Sequence, residues 1–193
     1  MPPRLLVITG TSGVGKTTIA AKLAPSLNIG RVTSTDMIRE VKRTRHSRRD
    51  YPALHRSSFE PAGGGAVPDW KETIVAISEE LAAAIQRSYV EGSDLLIEGV
   101  HLIPGEGMLE NWRSGGFPAC GIVLYVSDEN LHKQMIVGRE KHNGKLVEHY
   151  LDSFDRIREI QMEMLANAKN SGWIAMDINS QAVDIDLIGR LLE

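Results

Sequence analysis

Short runs rich in β-branched residues or leucine alternate along this chain with longer segments whose apolar positions recur every three or four residues. The short runs predict strands over 5–8, 31–33, 94–98, 121–126 and 173–176. Between them, Ile74, Ile77, Leu81, Ile85 and Tyr89 follow Trp70 at helical spacing. Leu151, Phe154, Ile157, Ile160, Met164, Leu165 and Ala168 repeat that spacing further on. Both stripes read as core-facing surfaces that carry no chemistry. Strands alternating with helices imply βαβ units: an α/β fold with a mainly parallel five-stranded sheet flanked by helices.

Two stretches interrupt the alternation. Residues 46–69, from HSRRDYPALHRSSF to EPAGGGAVPD, mix basic residues with a Pro/Gly-rich tract and read as a long functional loop. Residues 138–150, GREKHNGKLVEHY, form a charged segment between two helical patterns and read as a lid. There is no internal repeat, linker or heptad array, and 193 residues suit one domain over 1–193.

Composition narrows the function. A net charge of −3 supplies no global field for nucleic acid. Cys120 is the only cysteine, which excludes an internal disulfide framework and suits a reducing compartment. It opens the apolar run CGIVLYV and reads as a small core residue. The N-terminal apolar stretch is too short for a signal peptide, and no segment is long enough to span a bilayer. A cytoplasmic protein with no membrane partner is expected, as a monomer or homodimer.

The sharpest chemical signal follows the first strand. LLVITG and TSGVGKTTIAAKLA read as strand, glycine-rich turn and helix, and Gly10, Gly15, Lys16 and Thr17 fit G-x-x-x-x-G-K-[ST]. Glycines let the backbone approach phosphate oxygens, and the N–H groups of Thr11, Ser12, Gly13, Val14 and Thr18 join theirs in a nest at the helix N-terminus. Lys16 reaches the outer phosphates and the Thr17 hydroxyl ligates Mg²⁺, so ATP and Mg²⁺ are the expected cofactors.

Parallel sheets bind ligands beyond the carboxyl ends of their strands, and two acids fall there. Asp36 opens the helix DMIREVKR, either as a base for an acceptor hydroxyl or merely as a helix cap, a role for which Thr35 and Ser34 compete. Glu98 ends DLLIEG, placed to hold a Mg²⁺-bound water, bind substrate or pair with an arginine. Seven Arg and Lys residues lie between Arg39 and Arg56 against two acids. Such a cluster suits an acceptor bearing carboxylate or phosphate better than a merely solvated face, and without an aromatic stacking pattern RNA is disfavoured. The candidate acceptor-binding set is Asp36, Arg39, Arg43, Arg56, Glu98 and His101. In the lid, Arg139, Lys141, His142 and Lys145 offer charge, with Arg139 preferred where the helix is expected to end. Arg156 and Arg158 are further candidates for reaching phosphates.

The strings GTSGVGKTTIA, STDMIREVKR, LHRSSF, LLIEGVHLIPG and HYLDSFDRIREIQ, in that order over about residues 6–170, resemble the 2-phosphoglycerate kinase family of P-loop kinases. The resemblance implies ATP-dependent phosphorylation of the free hydroxyl of 2-phosphoglycerate. Relatives resembling mevalonate-3-phosphate 5-kinase supply a second acceptor. Set against the longer archaeal members, the chain begins at the first strand, without their additional N-terminal region, and departs from the pattern at EPAGGGAVPDW beside the expected acceptor pocket. A nucleotide-dependent switch and a polynucleotide 5′-kinase are the other readings; no guanine-reading NKxD string supports the former.

Overall fold

The computed structural model describes the backbone of residues 2–143, 147–179 and 184–193, with all side chains in those spans except 106 and 140–143. Its centre is a five-stranded, wholly parallel sheet. The strands are β1 (Leu5–Thr9), β2 (Val32–Ser34), β3 (Leu95–Gly99), β4 (Ala119–Tyr125) and β5 (Ile174–Asp177), in spatial order β2-β3-β1-β4-β5. β1 pairs with β3 on one side and β4 on the other, and Leu5 through Ile8 are fully buried. Successive side chains of a strand point to opposite faces, so two apolar clusters form. Leu5, Val7, Leu95 and Ile97 join one; Leu6, Ile8, Leu96 and Ile122 join the other.

Helices cover both faces. α1 (Lys16–Ser26) and α9 (Ile185–Leu191) lie on the second cluster, where Leu23 and Ile188 are buried. α3 (Ala66–Val75), α4 (Ser78–Val90), α5 (Glu106–Ser114) and α8 (Phe154–Ser171) cover the first, through Trp70, Leu81, Trp112 and Ile157. α2 (Thr35–Arg43), α6 (Glu129–Asn143) and α7 (Val147–Asp152) complete the described helices. Because the strand order reverses on either side of β1, the crevice beyond its carboxyl end is where such a sheet receives a ligand.

Three expectations are corrected. The stripe from Ile74 to Tyr89 is divided between α3 and α4, which meet at Ala76 and Ile77. Three consecutive β-branched residues, Thr73, Ile74 and Val75, are weak helix formers, and the Ser78 hydroxyl donates to the Val75 carbonyl at 3.0 Å. Leu151 belongs to α7 rather than α8 and is 38% exposed, outside the core. The irregular stretch expected over 46–69 ends at 65 and contains a 3₁₀ turn, Pro52–His55. Pro68 sits in the first turn of α3, where a missing N–H costs nothing.

Candidate active site

Residues 10–15 carry the chain from β1 into α1. Gly15 is the N-cap of α1, with φ +81°, a left-handed conformation that a side chain disfavours. No side chain caps α1 and its first turn holds no acid, so its positive end stays open to an anion. A helix start left without a side-chain cap fits the phosphates of a nucleotide. The loop is braced from α6: His132 is buried and its Nε2–H donates to the Ser12 carbonyl at 2.8 Å. A Cβ on Gly13 would stand 2.4 Å from Ile136 of the same helix.

Lys16 lies folded over the loop, Nζ donating to the Thr11 carbonyl at 2.8 Å. Desolvation lowers its ammonium to about 8, against the opposing influence of Glu98 and Asp36. Beside it the Thr17 hydroxyl donates to Glu98 Oε1 at 3.3 Å. Glu98 is buried on β3, paired in register with Ile8 and Ser34. A hydroxyl and a carboxylate fit Mg²⁺, which is usually held by one or two protein oxygens together with phosphate and water. No cluster of three or more His, Cys, Asp or Glu ligands occurs among the described residues.

Beyond β3 the chain is tied down on both sides of His101. Trp70 Nε1 donates to the Val100 carbonyl at 2.8 Å, and the Thr9 hydroxyl to the Leu102 carbonyl at 3.1 Å. His101 is thereby turned inward, only 1% exposed, its Nδ1 sharing a hydrogen bond of 3.1 Å with the Thr35 hydroxyl. Burial lowers its pKa to about 4; Asp36 pulls it upward, while Arg39 and Lys16 reinforce the lowering. The imidazole is therefore neutral at physiological pH. Thr35 itself packs against Gly99, where a Cβ would fall 1.8 Å from the hydroxyl oxygen.

Asp36 makes no cap hydrogen bond; Ser34 occupies the N-cap of α2. Its carboxylate is 62% exposed, with Oδ1 3.7 Å from His101 Nδ1 and 4.0 Å from Arg39 Nε. It faces a cavity of about 260 Å³ shared with Ser12, Thr17, Arg39, His101 and Arg139. Ser57, Ser58, Phe59, Val100 and Tyr150 close the rest. A larger cavity of about 870 Å³ between α4 and α5, lined by residues such as Leu81, Tyr89 and Trp112, contains no charged side chain and so no group for phosphoryl chemistry.

A family model described as an AAA domain matches residues 6–149, most of the chain. The chain belongs to the AAA-domain family. Among curated proteins, the 2-phosphoglycerate kinase of Methanocaldococcus jannaschii is 33% identical, aligned over 88% of this chain and 57% of its own length. That of Methanothermobacter thermautotrophicus is 32% identical over 98% and 65%. The chain thus spans little more than half to about two thirds of the length of these relatives. Among solved structures, shikimate kinase from Acinetobacter baumannii matches with a TM-score of 0.56 at 16% identity, over 100% of this chain and 92% of that one. A gluconokinase from Sinorhizobium meliloti gives 0.54 at 15%, over 98% and 89%. Both share the fold.

Within this AAA-domain chain, the residues anticipated for the acceptor divide. Asp36, Arg39 and His101 meet at the cavity, next to Thr17 and its partner Glu98. Arg43 and Arg56 are not among its lining residues. Arg43 pairs with Glu40 at 2.7 Å, and Arg56, buried, donates to Glu72 at 2.8 Å and the Asp69 carbonyl at 2.6 Å. α6 continues through Asn143, so Arg139 lies a turn before the helix end rather than at it. Its guanidinium stands 5.2 Å from the centre of the Tyr150 ring. The side chains of Lys141 and His142, and Lys145 entirely, lie outside the described residues. Arg156 and Arg158 are engaged elsewhere, Arg156 with Asp69 and Arg158 with the Val126 and Ser127 carbonyls. Cys120 is buried, and its surroundings raise its thiol to about 11. Sequence reasoning missed Ser57, Ser58, Phe59, Tyr150 and His132. The string LHRSSF marked the first three by position alone, and nothing local marked His132, whose partner is 120 residues away.

Proposed function

We propose that the protein is an ATP- and Mg²⁺-dependent kinase that phosphorylates a hydroxyl of a small metabolite bearing carboxylate or phosphate, with 2-phosphoglycerate as its acceptor. The observation that carries this reading is a single cavity onto which both Thr17 of the phosphate loop and the Asp36, Arg39 and His101 group open. The 2-phosphoglycerate kinases that the chain resembles supply the choice of acceptor.

Residues 12–17 hold the phosphates of ATP, with Lys16 leaving the Thr11 carbonyl for the outer phosphates. Thr17 and Glu98 hold Mg²⁺, which when bound neutralises charge on the phosphate oxygens. Asp36 orients the acceptor hydroxyl and takes its proton as the new O–P bond forms and the bond to ADP breaks. Arg39 grips the acceptor's anionic group, and Arg139, from the lid over 138–150, adds positive charge at the transferred phosphoryl. His101, neutral, sets the local polarity without adding a competing cation. Residues 39–69 serve as the acceptor region of one kinase domain over 1–193.

The test is an ATP-consumption assay with 2-phosphoglycerate, mevalonate 3-phosphate, nucleoside monophosphates, polynucleotide 5′-hydroxyls or no acceptor. Turnover with 2-phosphoglycerate at least about tenfold above every other arm is expected. A preference for mevalonate 3-phosphate would replace the acceptor, and hydrolysis indifferent to all of them would overturn the kinase reading in favour of a switch.

A further inference from the structure

The acceptor side of the cavity is walled by Ser57, Ser58 and Phe59, at the start of a stretch that runs to Gly65 with no regular secondary structure. Within it, residues 57–60 form a local turn, the Glu60 N–H donating to the Ser57 carbonyl at 3.1 Å and the Ser57 N–H to Glu60 Oε2 at 3.0 Å, but no ladder bond ties that turn to the sheet. What attaches it to the rest of the fold lies behind the wall. Asp69, in the first turn of α3 and 1% exposed, accepts from the N–H of Ala62 at Oδ2 and of Gly64 at Oδ1, each at 2.8 Å. Arg156 of α8 donates to Asp69 Oδ2 at 2.6 Å and, through Nε, to the Phe59 carbonyl at 2.7 Å. The same guanidinium reaches the Gly65 carbonyl at 3.3 Å. On the other flank, Arg39 Nη1 donates to the Arg56 carbonyl at 2.7 Å, immediately before the wall. Two contacts from α7 complete the attachment: His149 Nε2 to Glu60 Oε1 at 2.9 Å, and the Tyr150 ring 5.0 Å from Phe59.

We propose that Asp69 and Arg156 are positioning residues that hold the 57–59 wall against the cavity and thereby set the affinity for the acceptor. Neither lines the cavity, so neither touches substrate. Their charges are matched within the pair, and one fork of Arg156 joins the carboxylate to the carbonyl of a wall residue. The wall is therefore carried by α3 and α8 rather than by the sheet. This also gives EPAGGGAVPDW a physical role: its glycines let the chain wrap closely around a carboxylate, and a Cβ on Gly64 would stand 2.9 Å from Asp69 Oδ1.

The consequence for acceptor affinity rests on the kinase reading above, so the test has two arms. In steady-state kinetics, Asp69→Asn and Gly64→Ala are each expected to raise the acceptor KM roughly 10-fold while the ATP KM stays within about twofold, with Arg156→Lys intermediate. Gly64→Ala leaves the buried ion pair in place, and so serves if Asp69→Asn does not fold. Amide hydrogen exchange reads the same variants without any acceptor: exchange over 57–65 should quicken while β1 and β4 keep their protection. Unchanged exchange over 57–65 overturns the proposal, and so does an unchanged acceptor KM in a folded variant with a lowered Tm, the mark of a merely structural pair. If the wild-type protein phosphorylates no acceptor, the kinase reading fails, and exchange alone decides whether the pair holds the wall.

Discussion

Lys16 and Asp36 are charged residues close to each other, and each calls for its own experimental signature. Lys16 is proposed to serve the phosphates, and its Nζ donates to a loop carbonyl. Lys16→Ala should therefore leave the fold intact while kcat falls on the order of 10²- to 10³-fold, as for other groups that stabilise developing charge. A folded variant with wild-type turnover would remove Lys16 from the mechanism. Asp36 lines the cavity, its carboxylate largely exposed and without a capping duty. Asp36→Asn should lower kcat on the order of 10²-fold or more with the ATP KM nearly unchanged; unchanged kcat would sink its role as base. The difference in legibility between such residues is physical. Every group of the phosphate loop has a job set by its immediate neighbours, so residues 10–17 are readable from spacing. Arg56 is not, because its guanidinium is claimed by α3, 13 and 16 residues further on. A count of basic residues over 39–56 cannot tell Arg39, which faces the cavity, from Arg43, which pairs along its own helix.

Among elements, strands were readable to within two residues because their apolar or β-branched runs are short and bounded by turn residues. Helix ends were less so. Ile74, Ile77 and Leu81 keep helical phase across the α3–α4 break, so periodicity passes over it. Gly138 does not stop α6, since one glycine costs a helix only about 1 kcal/mol, less than tertiary packing returns. The junction of β3 with α2 is the element-scale contact most exposed to substitution. Gly99 has φ +155° and Thr35 occupies the space where its Cβ would go. Gly99→Ala should therefore destabilise the protein by about 2–4 kcal/mol and displace Thr35, with His101 attached to it. Denaturant unfolding checks the first expectation. A Gly99→Ala protein within about 0.5 kcal/mol of wild type would show that the close packing of β3 on α2 is not rigid.

Across the whole molecule, two buried titrating groups on separate elements predict how the fold meets acid. His101 is neutral when folded, with its pKa lowered by burial to about 4 from 6.5; Asp36, Arg39 and Lys16 are the charges around it. Because the unfolded chain takes up this proton first, stability should fall as pH drops from about 6.5 to 4, by roughly 3 kcal/mol. His132, lowered by burial as well, acts in the same direction. Asp69 has the opposite charge type and a later window. Burial alone would raise its carboxyl, but the N–H groups of Ala62 and Gly64 and the Arg156 guanidinium outweigh burial and hold it at about 2. Its contribution, roughly 2 kcal/mol, is complete above about 3.8 and disappears as pH falls toward 2. Unfolding free energy measured by denaturant across pH should therefore decline in two stages. His101→Gln should make the upper stage shallower, leaving what His132 contributes, and Asp69→Asn should make the lower one shallower, where the lowered carboxyls of Glu80, Glu163 and Asp177 also act. A wild-type curve level between pH 6.5 and 4 would mean that the imidazole beside the cavity is not held neutral, and the polarity assigned to the acceptor site would have to be revised with it.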